Sequence, residues 1–225
     1  AGKTAPTNLW LINGLALKAD PSLIAAISSF PGVASVTLDG VVHLPEATPS
    51  AVADPPAWNL TAVHAPDLWA KGITGQGVVV AILDTGVDLR DTDLASKWRG
   101  GSDSWFDPYS TPPTTQPYDV PDPSSSLASF GHGTAVMGVL VGGSASGTAI
   151  GVAPGAKWIA AKIFDDSGNA TLAKIHQAFQ WALDPDSDPN TDDAPDVVNN
   201  SWGLDQVDQC YTDNSINDFQ PAIRT

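Results

Sequence analysis

The chain is predicted to fold as an α/β protein with a doubly wound, mostly parallel sheet, preceded by a small α/β module. Three apolar runs predict the sheet because they lack clean alternation, as strands covered on both faces do; they are 78–83, 158–164 and 197–200. Helical patterns at about 134–141 and 172–183 separate these runs, and such alternation specifies parallel strands. In such a sheet, functional residues are expected at the carboxyl ends of the strands.

Length and composition restrict the kind of protein. The 225 residues, 42% of them hydrophobic, suffice for one domain with an appendage. Ten Lys and Arg against 25 Asp and Glu give a net charge of −15, which argues against nucleic acid because phosphate binding needs clustered cations. No apolar run approaches the roughly 20 residues of a membrane span, so no membrane partner is expected. The single cysteine, Cys210, excludes an internal disulfide framework and leaves pairing with another segment or subunit open.

Residues 8–44 have the pattern of a compact strand, helix and strand unit. The apolar run 9–17 predicts a strand, and the Asp-Pro pair at 20–21 predicts a helix start by cap and N1 proline. Two further strands are predicted at 33–38 and 41–44, because an Asp-Gly hairpin signal separates them.

A linker is predicted after this unit. Residues 45–56 contain four prolines among small residues. We therefore place a domain boundary there, with 1–50 as the module and linker and 51–225 as the larger domain. Two insertions, 100–130 and 184–196, interrupt the alternation of predicted strands and helices in the larger domain.

Two short motifs carry the chemistry. Asp84 opens an Asp-Thr-Gly triplet after an apolar strand, and His132 lies in a Gly-His-Gly-Thr motif before an apolar stretch. The triplet alone is ambiguous. Aspartic proteases have the same triplet in a site where two carboxylates share one proton, and an ordinary polar strand end that enters a turn can have the same sequence. A glycine on each side of His132 lets backbone and substrate come close. An Asp upstream of a His matches a Ser-His-Asp constellation, in which the Asp holds the imidazole in the correct tautomer.

Four ordered motifs resemble those of the subtilisin-like serine proteases. They are Asp-Thr-Gly at 84–86, Gly-His-Gly-Thr at 131–134, Gly-Val-Ala-Pro at 151–154 and Val-Val-Asn-Asn-Ser-Trp-Gly at 197–203. The resemblance covers roughly 58–225, with a likeness to the bacillopeptidase F-like branch at 105–109.

The resemblance implies that Asp84 orients His132, and that His132 acts as general base and then general acid. It also implies two segments that flank an extended substrate and pair with its backbone, formed by Gly168, Asn169 and Ala170 and by Ser201, Trp202 and Gly203. Strand addition of this kind gives main-chain affinity, and pockets give side-chain preference. Ordinary sheet and turn remains the alternative for both segments.

Residues 8–44 similarly resemble the later part of a subtilisin propeptide, which chaperones folding and blocks the cleft until it is removed. The resemblance implies processing within 45–56. A small independent domain is the alternative.

The sequence also departs from the family pattern. Ala135 stands where the family usually has a second histidine, and the family's oxyanion asparagine and Gly-Thr-Ser-Met nucleophile segment are not found. Ser144 and Ser146 are the nearest imitation, and a flexible loop is the preferred interpretation of them. We therefore expect the N-terminal part of a secreted proenzyme, with polypeptide substrates and the missing C-terminal part of the same protease as partners.

No cofactor is needed for the chemistry, and structural calcium is the metal to consider. Asp184, Asp186 and Asp188 alternate like calcium ligands, but Pro189 stands where an EF-hand needs glycine, so a solvated acidic loop is favoured. The family resemblance implies structural calcium near the position of Asp93.

The leading hypothesis is thus a secreted serine endopeptidase that has Asp84 and His132 but no nucleophile within these residues. The second is an aspartic protease built on Asp84. The third is a non-catalytic inhibitory or binding module.

Overall fold

The computed structural model describes residues 5–44, 57–110, 113–120 and 131–203. The predicted linker and Cys210 lie outside them. In chain order the helices and strands are β1 (Thr7–Leu9), β2 (Gly14–Ala16), α1 (Pro21–Ser28), β3 (Val41–His43), α2 (Trp58–Ala62), α3 (Ala65–Trp69), β4 (Val79–Asp84), β5 (Trp105–Phe106), α4 (His132–Val141), β6 (Lys157–Lys162), β7 (Asn169–Thr171), α5 (Leu172–Leu183) and β8 (Val197–Asn199). None of the described helices is long and apolar enough to cross a membrane.

Four parallel strands form the central sheet, in the order β5-β6-β4-β8. β4 pairs with β6 along its whole length, from Val79 opposite Lys157 to Asp84 opposite Lys162. The later strand β8 pairs with the other side of β4. The chain therefore extends the sheet in both directions from β4, which confirms the predicted doubly wound α/β fold.

Alternate residues of the central strands face opposite sides of the sheet, and each side is covered. Leu83 and Ile159 belong to an apolar cluster that includes Ile175 of α5. Ile82 and Trp158 belong to a second cluster, which includes residues of α4. Burial on both faces explains why the strands show continuous apolar runs rather than alternation.

The N-terminal module begins with a hairpin where one strand was predicted. β1 and β2 pair antiparallel around a 3-10 turn, in which Asn13 adopts a left-handed conformation with φ of 51°. Asn tolerates that conformation because its short polar side chain bonds locally. The chain therefore reverses direction at this turn, and the single strand predicted at 9–17 is wrong. The predicted helix start is confirmed, since Asp20 caps α1 by accepting the Leu23 amide at 2.9 Å.

The predicted hairpin at 33–38 and 41–44 is also wrong. Residues 33–40 form no strand, and β3 instead pairs antiparallel with β7, Val42 opposite Ala170. The Asp-Gly pair expected to turn the hairpin binds the start of α5. Asp39 Oδ1 accepts the Ala173 amide at 2.8 Å, and the Leu172 amide donates to the Gly40 carbonyl at 2.9 Å. A distant partner therefore replaced the local one.

The insertion at 100–130 contributes a strand that the sequence analysis missed. Trp105–Phe106 forms β5 at the edge of the sheet, parallel to β6. Phe106 stacks on Trp181 of α5 with ring centroids 5.8 Å apart. The insertion is thus attached to the sheet beside the carboxyl-terminal half of β6.

Candidate active site

Asp84 is the last residue of β4 and is completely buried. Its Oδ1 accepts the Thr85 amide at 2.7 Å, and this oxygen also lies 2.8 Å from His132 Nδ1. Its Oδ2 is buried without a hydrogen-bond partner among the residues described. A strand end in a parallel sheet is where the sequence placed a functional carboxylate, and the structure puts Asp84 there.

His132 is the first residue of α4, and its side chain is 17% exposed. An ionised carboxylate only accepts hydrogen bonds, so the contact with Asp84 places the proton of the neutral ring on Nδ1. The basic lone pair is then on Nε2. This is the tautomer that a general base working through Nε2 requires.

The glycines beside His132 allow two backbone segments to meet. A Cβ added at Gly133 would overlap the Gly86 carbonyl oxygen, and one added at Gly131 would overlap Asp119 and the Val120 carbonyl. Any larger residue at either position would push the helix away from the turn that follows Asp84. The short Asp84–His132 distance therefore depends on both glycines.

Lys162 is a further charged residue close to Asp84, and the sequence analysis missed it. Its side chain is completely buried, and its Nζ donates to the Thr85 carbonyl at 3.0 Å and lies 3.4 Å from Asp166 Oδ1. The ammonium thus fastens the turn after Asp84 to β6. The sequence did contain a signal for this role, because Lys162 lies within the apolar run 158–164, which was predicted to be a buried strand.

The two predicted substrate segments follow the carboxyl ends of β6 and β8, on either side of Asp84 in the sheet. Gly168 has φ of 74° and its carbonyl accepts the Leu44 amide at 2.9 Å. Asn169 and Ala170 begin β7, which is paired with β3. A strand of the N-terminal module therefore already occupies the edge predicted to bind substrate.

The second segment is partly packed into the protein. Trp202 donates its indole N–H to the Leu83 carbonyl at 3.0 Å and contacts the apolar cluster on the α5 side. Ser201 Oγ accepts the Asn199 side-chain amide at 2.9 Å, and Gly203 is exposed. The segment therefore begins at the sheet and ends at the surface.

Ser144 and Ser146 lie beyond the carboxyl end of α4, whereas His132 begins that helix. A ten-residue helix separates the two ends by roughly 15 Å. The Ser146 amide donates to Asp93 Oδ2 at 3.2 Å. This placement favours the loop interpretation of both serines over a nucleophile role. Ala135, on the first turn of α4, is exposed.

The surroundings of Asp93 do not fit a calcium ion. The Ala145 and Ser146 amides donate to the two carboxylate oxygens of this buried side chain. Lys97 donates its ammonium to the Pro154 carbonyl, and Lys97 and Ala145 line the same cavity of about 490 Å³ as Asp93. Calcium takes six to eight oxygen ligands, whereas this site presents N–H groups to the one carboxylate it contains.

Three other carboxylates approach one another in the acidic stretch. One ligand oxygen from each of Asp184, Asp186 and Asp193 lies within 4.8 Å of the others, and Asp184 Oδ1 is buried without a partner among the described residues. Asp188, which alternates with Asp184 and Asp186 in the sequence, is not part of this group. Asp188 instead binds Asn190, with its Oδ1 accepting the side-chain amide at 2.7 Å. Both oxygens of Asp186 accept the hydroxyl of Thr191.

Comparisons with known proteins identify sequence relatives of this chain. The subtilase family profile matches residues 75–224. The chain is 36% identical to bacillopeptidase F of Bacillus subtilis (strain 168), over 91% of the chain and 15% of that protein. It is 30% identical to subtilisin E of the same strain, over 85% of the chain and 42% of that protein, and 30% identical to an alkaline protease of Alkalihalobacillus alcalophilus, over 75% and 38%. The chain thus spans less than half the length of these relatives.

Proposed function

This chain belongs to the subtilase family, and from that premise we propose that it supplies the Asp and His of a secreted serine endopeptidase. The observation that carries the proposal is the 2.8 Å contact between Asp84 Oδ1 and His132 Nδ1 at the end of the central strand.

The proposed mechanism follows from the tautomer of His132. Its Nε2 takes the proton of a serine hydroxyl as that oxygen attacks the peptide carbonyl, and Asp84 stabilises the imidazolium that forms. The same proton then goes to the leaving amine. The serine and the donors of the oxyanion hole are expected from sequence other than these 225 residues, because no nucleophile motif was found among them.

Polypeptide substrates are proposed to bind as an added strand along β7. The pairing of β3 with β7 supports this, because it shows that this edge accepts an antiparallel strand. Main-chain hydrogen bonds of this kind bind any extended peptide, and side-chain pockets select among them.

The N-terminal module is proposed to act as a propeptide that covers this edge. Several contacts besides the β3–β7 pairing hold it. Asp39 and Gly40 bind the first amides of α5, and Gln180 of that helix contacts the first turn of the module. A peptide substrate and β3 compete for the same edge, so removal of the module would open it.

The aspartic protease is the second candidate. Its mechanism needs two carboxylates that share one proton. Asp84 Oδ1 instead contacts an imidazole and a backbone amide, which favours the serine mechanism. Inhibition by pepstatin-like compounds at acid pH, with no loss of activity in His132→Ala, would reverse this preference.

The test is peptide hydrolysis by the complete protein. We expect Asp84→Asn to lower kcat by about 10⁴-fold because an amide stabilises the wrong tautomer, and His132→Ala to lower it by about 10⁶-fold. Asp67→Asn and His64→Ala are matched controls, because both side chains are largely exposed. Full activity in Asp84→Asn or His132→Ala would contradict the triad.

The 225-residue chain alone is the complementary sample. Without a nucleophile, its hydrolysis rate is expected to be about 10⁶-fold below that of the complete protein. Rapid turnover by the purified chain that a serine-directed reagent abolishes would contradict the proposal that the serine comes from elsewhere.

A further inference from the structure

The two catalytic motifs meet at a residue that belongs to neither. Asp119 lies in the insertion that precedes α4, and its Oδ2 accepts both the Thr134 amide at 2.8 Å and the Thr134 hydroxyl at 2.6 Å. The hydroxyl of Thr85 lies close enough to this carboxylate to lower its pKa. A threonine of the Gly-His-Gly-Thr motif thus donates to Asp119, and a threonine of the Asp-Thr-Gly triplet lies beside the same carboxylate.

Asp119 takes the place of a missing helix cap. The N-cap of α4 is Gly131, which has no side chain to accept an amide from the first turn. The Thr134 amide is one of the helix-start donors that lack an intrahelical partner, and Asp119 accepts it. A carboxylate is also favoured at this end of a helix by the helix dipole.

The same carboxylate reaches the turn that positions Asp84. Thr85 Oγ1 accepts the Gly133 amide at 2.8 Å, and the Thr85 amide donates to Asp84 Oδ1 at 2.7 Å. Thr85 therefore joins Asp84 to the start of α4. Asp119 binds that same helix start one residue further on, at Thr134.

The chemistry of the site requires an acceptor at this position. The amide and the hydroxyl of Thr134 donate to Oδ2, and the Val120 amide donates to Oδ1 at 2.8 Å. Burial raises the pKa of Asp119, and the interactions with Thr134 and Thr85 oppose that rise. An asparagine has one carbonyl oxygen, so in either orientation its N–H₂ group faces the donors on one side, and at least one bond is lost. A Cβ at position 131 would overlap Asp119 Oδ1, so the glycine there lets the carboxylate come close to the helix start.

We propose that Asp119 is a positioning residue, which holds Thr134 and with it the start of α4, so that His132 Nδ1 stays within hydrogen-bond distance of Asp84. The effect of Asp119 on peptide hydrolysis rests on the proposed function. Its effect on the distance between Asp84 and His132 does not. The insertion thereby becomes part of the support of the active site.

The test is the low-field proton resonance of His132 Nδ1 in the 225-residue chain, assigned by its loss in His132→Gln. In Asp119→Asn we expect this resonance to disappear, because the helix start moves and the proton exchanges with water. Asp107→Asn is the matched control. Asp107 is a buried carboxylate of the same insertion that accepts the hydroxyls of Tyr118 and Thr114, so its loss should disturb the insertion but leave the resonance.

Two milder variants decide the outcome if Asp119→Asn does not fold. Thr134→Val removes the hydroxyl that donates to Asp119, so the resonance should be weaker than in wild type. Thr134→Ser keeps the hydroxyl, so its resonance should equal that of wild type. Equal resonances in the Val and Ser variants, or an unchanged resonance in folded Asp119→Asn, would overturn the proposal.

Kinetics of the complete protein separate this inference from the function. Asp119→Asn should lower kcat by about 10²-fold with little change in KM, since misplaced catalytic groups affect the chemical step. If the complete protein has no peptidase activity although the resonance behaves as expected, the proposed function fails and the positioning role stands. An unchanged kcat together with an unchanged resonance removes the positioning role alone.

Discussion

Gly133 and the Gly86 carbonyl oxygen lie so close together that a Cβ at position 133 would overlap that oxygen. Gly133→Ala should therefore displace α4, lower stability by about 1–3 kcal/mol and remove the low-field His132 resonance. Gly138→Ala in the same helix is the control, because the nearest atom to its new Cβ would be 3.6 Å away. Alanine there should raise stability by about 0.5–1 kcal/mol in urea unfolding. Similar losses in both variants would show that close approach is not the cause.

The docking of the N-terminal module depends on Val42, which is 2% exposed. Val42→Asp places an unpaired charge in the core and should release β3 from β7. We expect the amides of Leu44 and Leu172, which donate to Gly168 and Gly40 in the docked state, to exchange with water at least tenfold faster. Val36→Asp, at an exposed position of the same module, should leave both rates unchanged. Unchanged exchange in Val42→Asp would contradict stable docking.

Trp202 should influence side-chain preference in the complete protein. Trp202→Leu removes the indole that donates to the Leu83 carbonyl, so we expect a loss of about 1 kcal/mol in stability and an altered cleavage profile on a peptide library. Trp58→Leu is the control, since Trp58 is largely exposed. An identical profile for Trp202→Leu and wild type would mean that this indole acts in packing alone.

Calcium should not stabilise the chain through Asp93. Because the two oxygens of this carboxylate accept the Ala145 and Ser146 amides, Asp93→Asn should cost about 1–3 kcal/mol whether calcium or a chelator is present. Thermal unfolding under both conditions measures this. A rise in Tm with calcium that disappears in Asp93→Asn would show that the ion displaces the amides.

Arg90 holds the pKa of Asp88 below its usual value, chiefly through hydrogen bonds from the guanidinium to both carboxylate oxygens. Since the folded-state pKa is lowered, the contribution to stability is present above the unfolded value of 3.8 and is lost as pH falls through the folded value. We expect Arg90→Met to raise the pKa of Asp88 in an NMR titration, and Arg90→Lys to raise it less. Equal values in wild type and Arg90→Met would contradict this assignment.

Much of the fold and of the Asp84–His132 pair was predictable from local patterns. The strand that ends at Asp84 is a continuous apolar run, α4 follows His132 as an apolar stretch, and α5 has clear apolar periodicity. The glycines beside His132 predicted close approach, and the Gly86 carbonyl accounts for it. These features can be predicted from the sequence because each depends on burial or backbone conformation within a few neighbouring residues.

Tertiary structure alone decided the partners of the remaining residues. The Asp-Gly pair before β3 carried a hairpin signal, yet it caps α5, because β7 offered a strand edge far along the chain. Asp119 and Lys162 carry no motif, and their roles depend on which backbone donors and carbonyls the folded chain brings to them. Local sequence determines the conformations that each segment prefers. Which distant hydrogen-bonding group satisfies a buried charge is set only when the sheet and helices pack together.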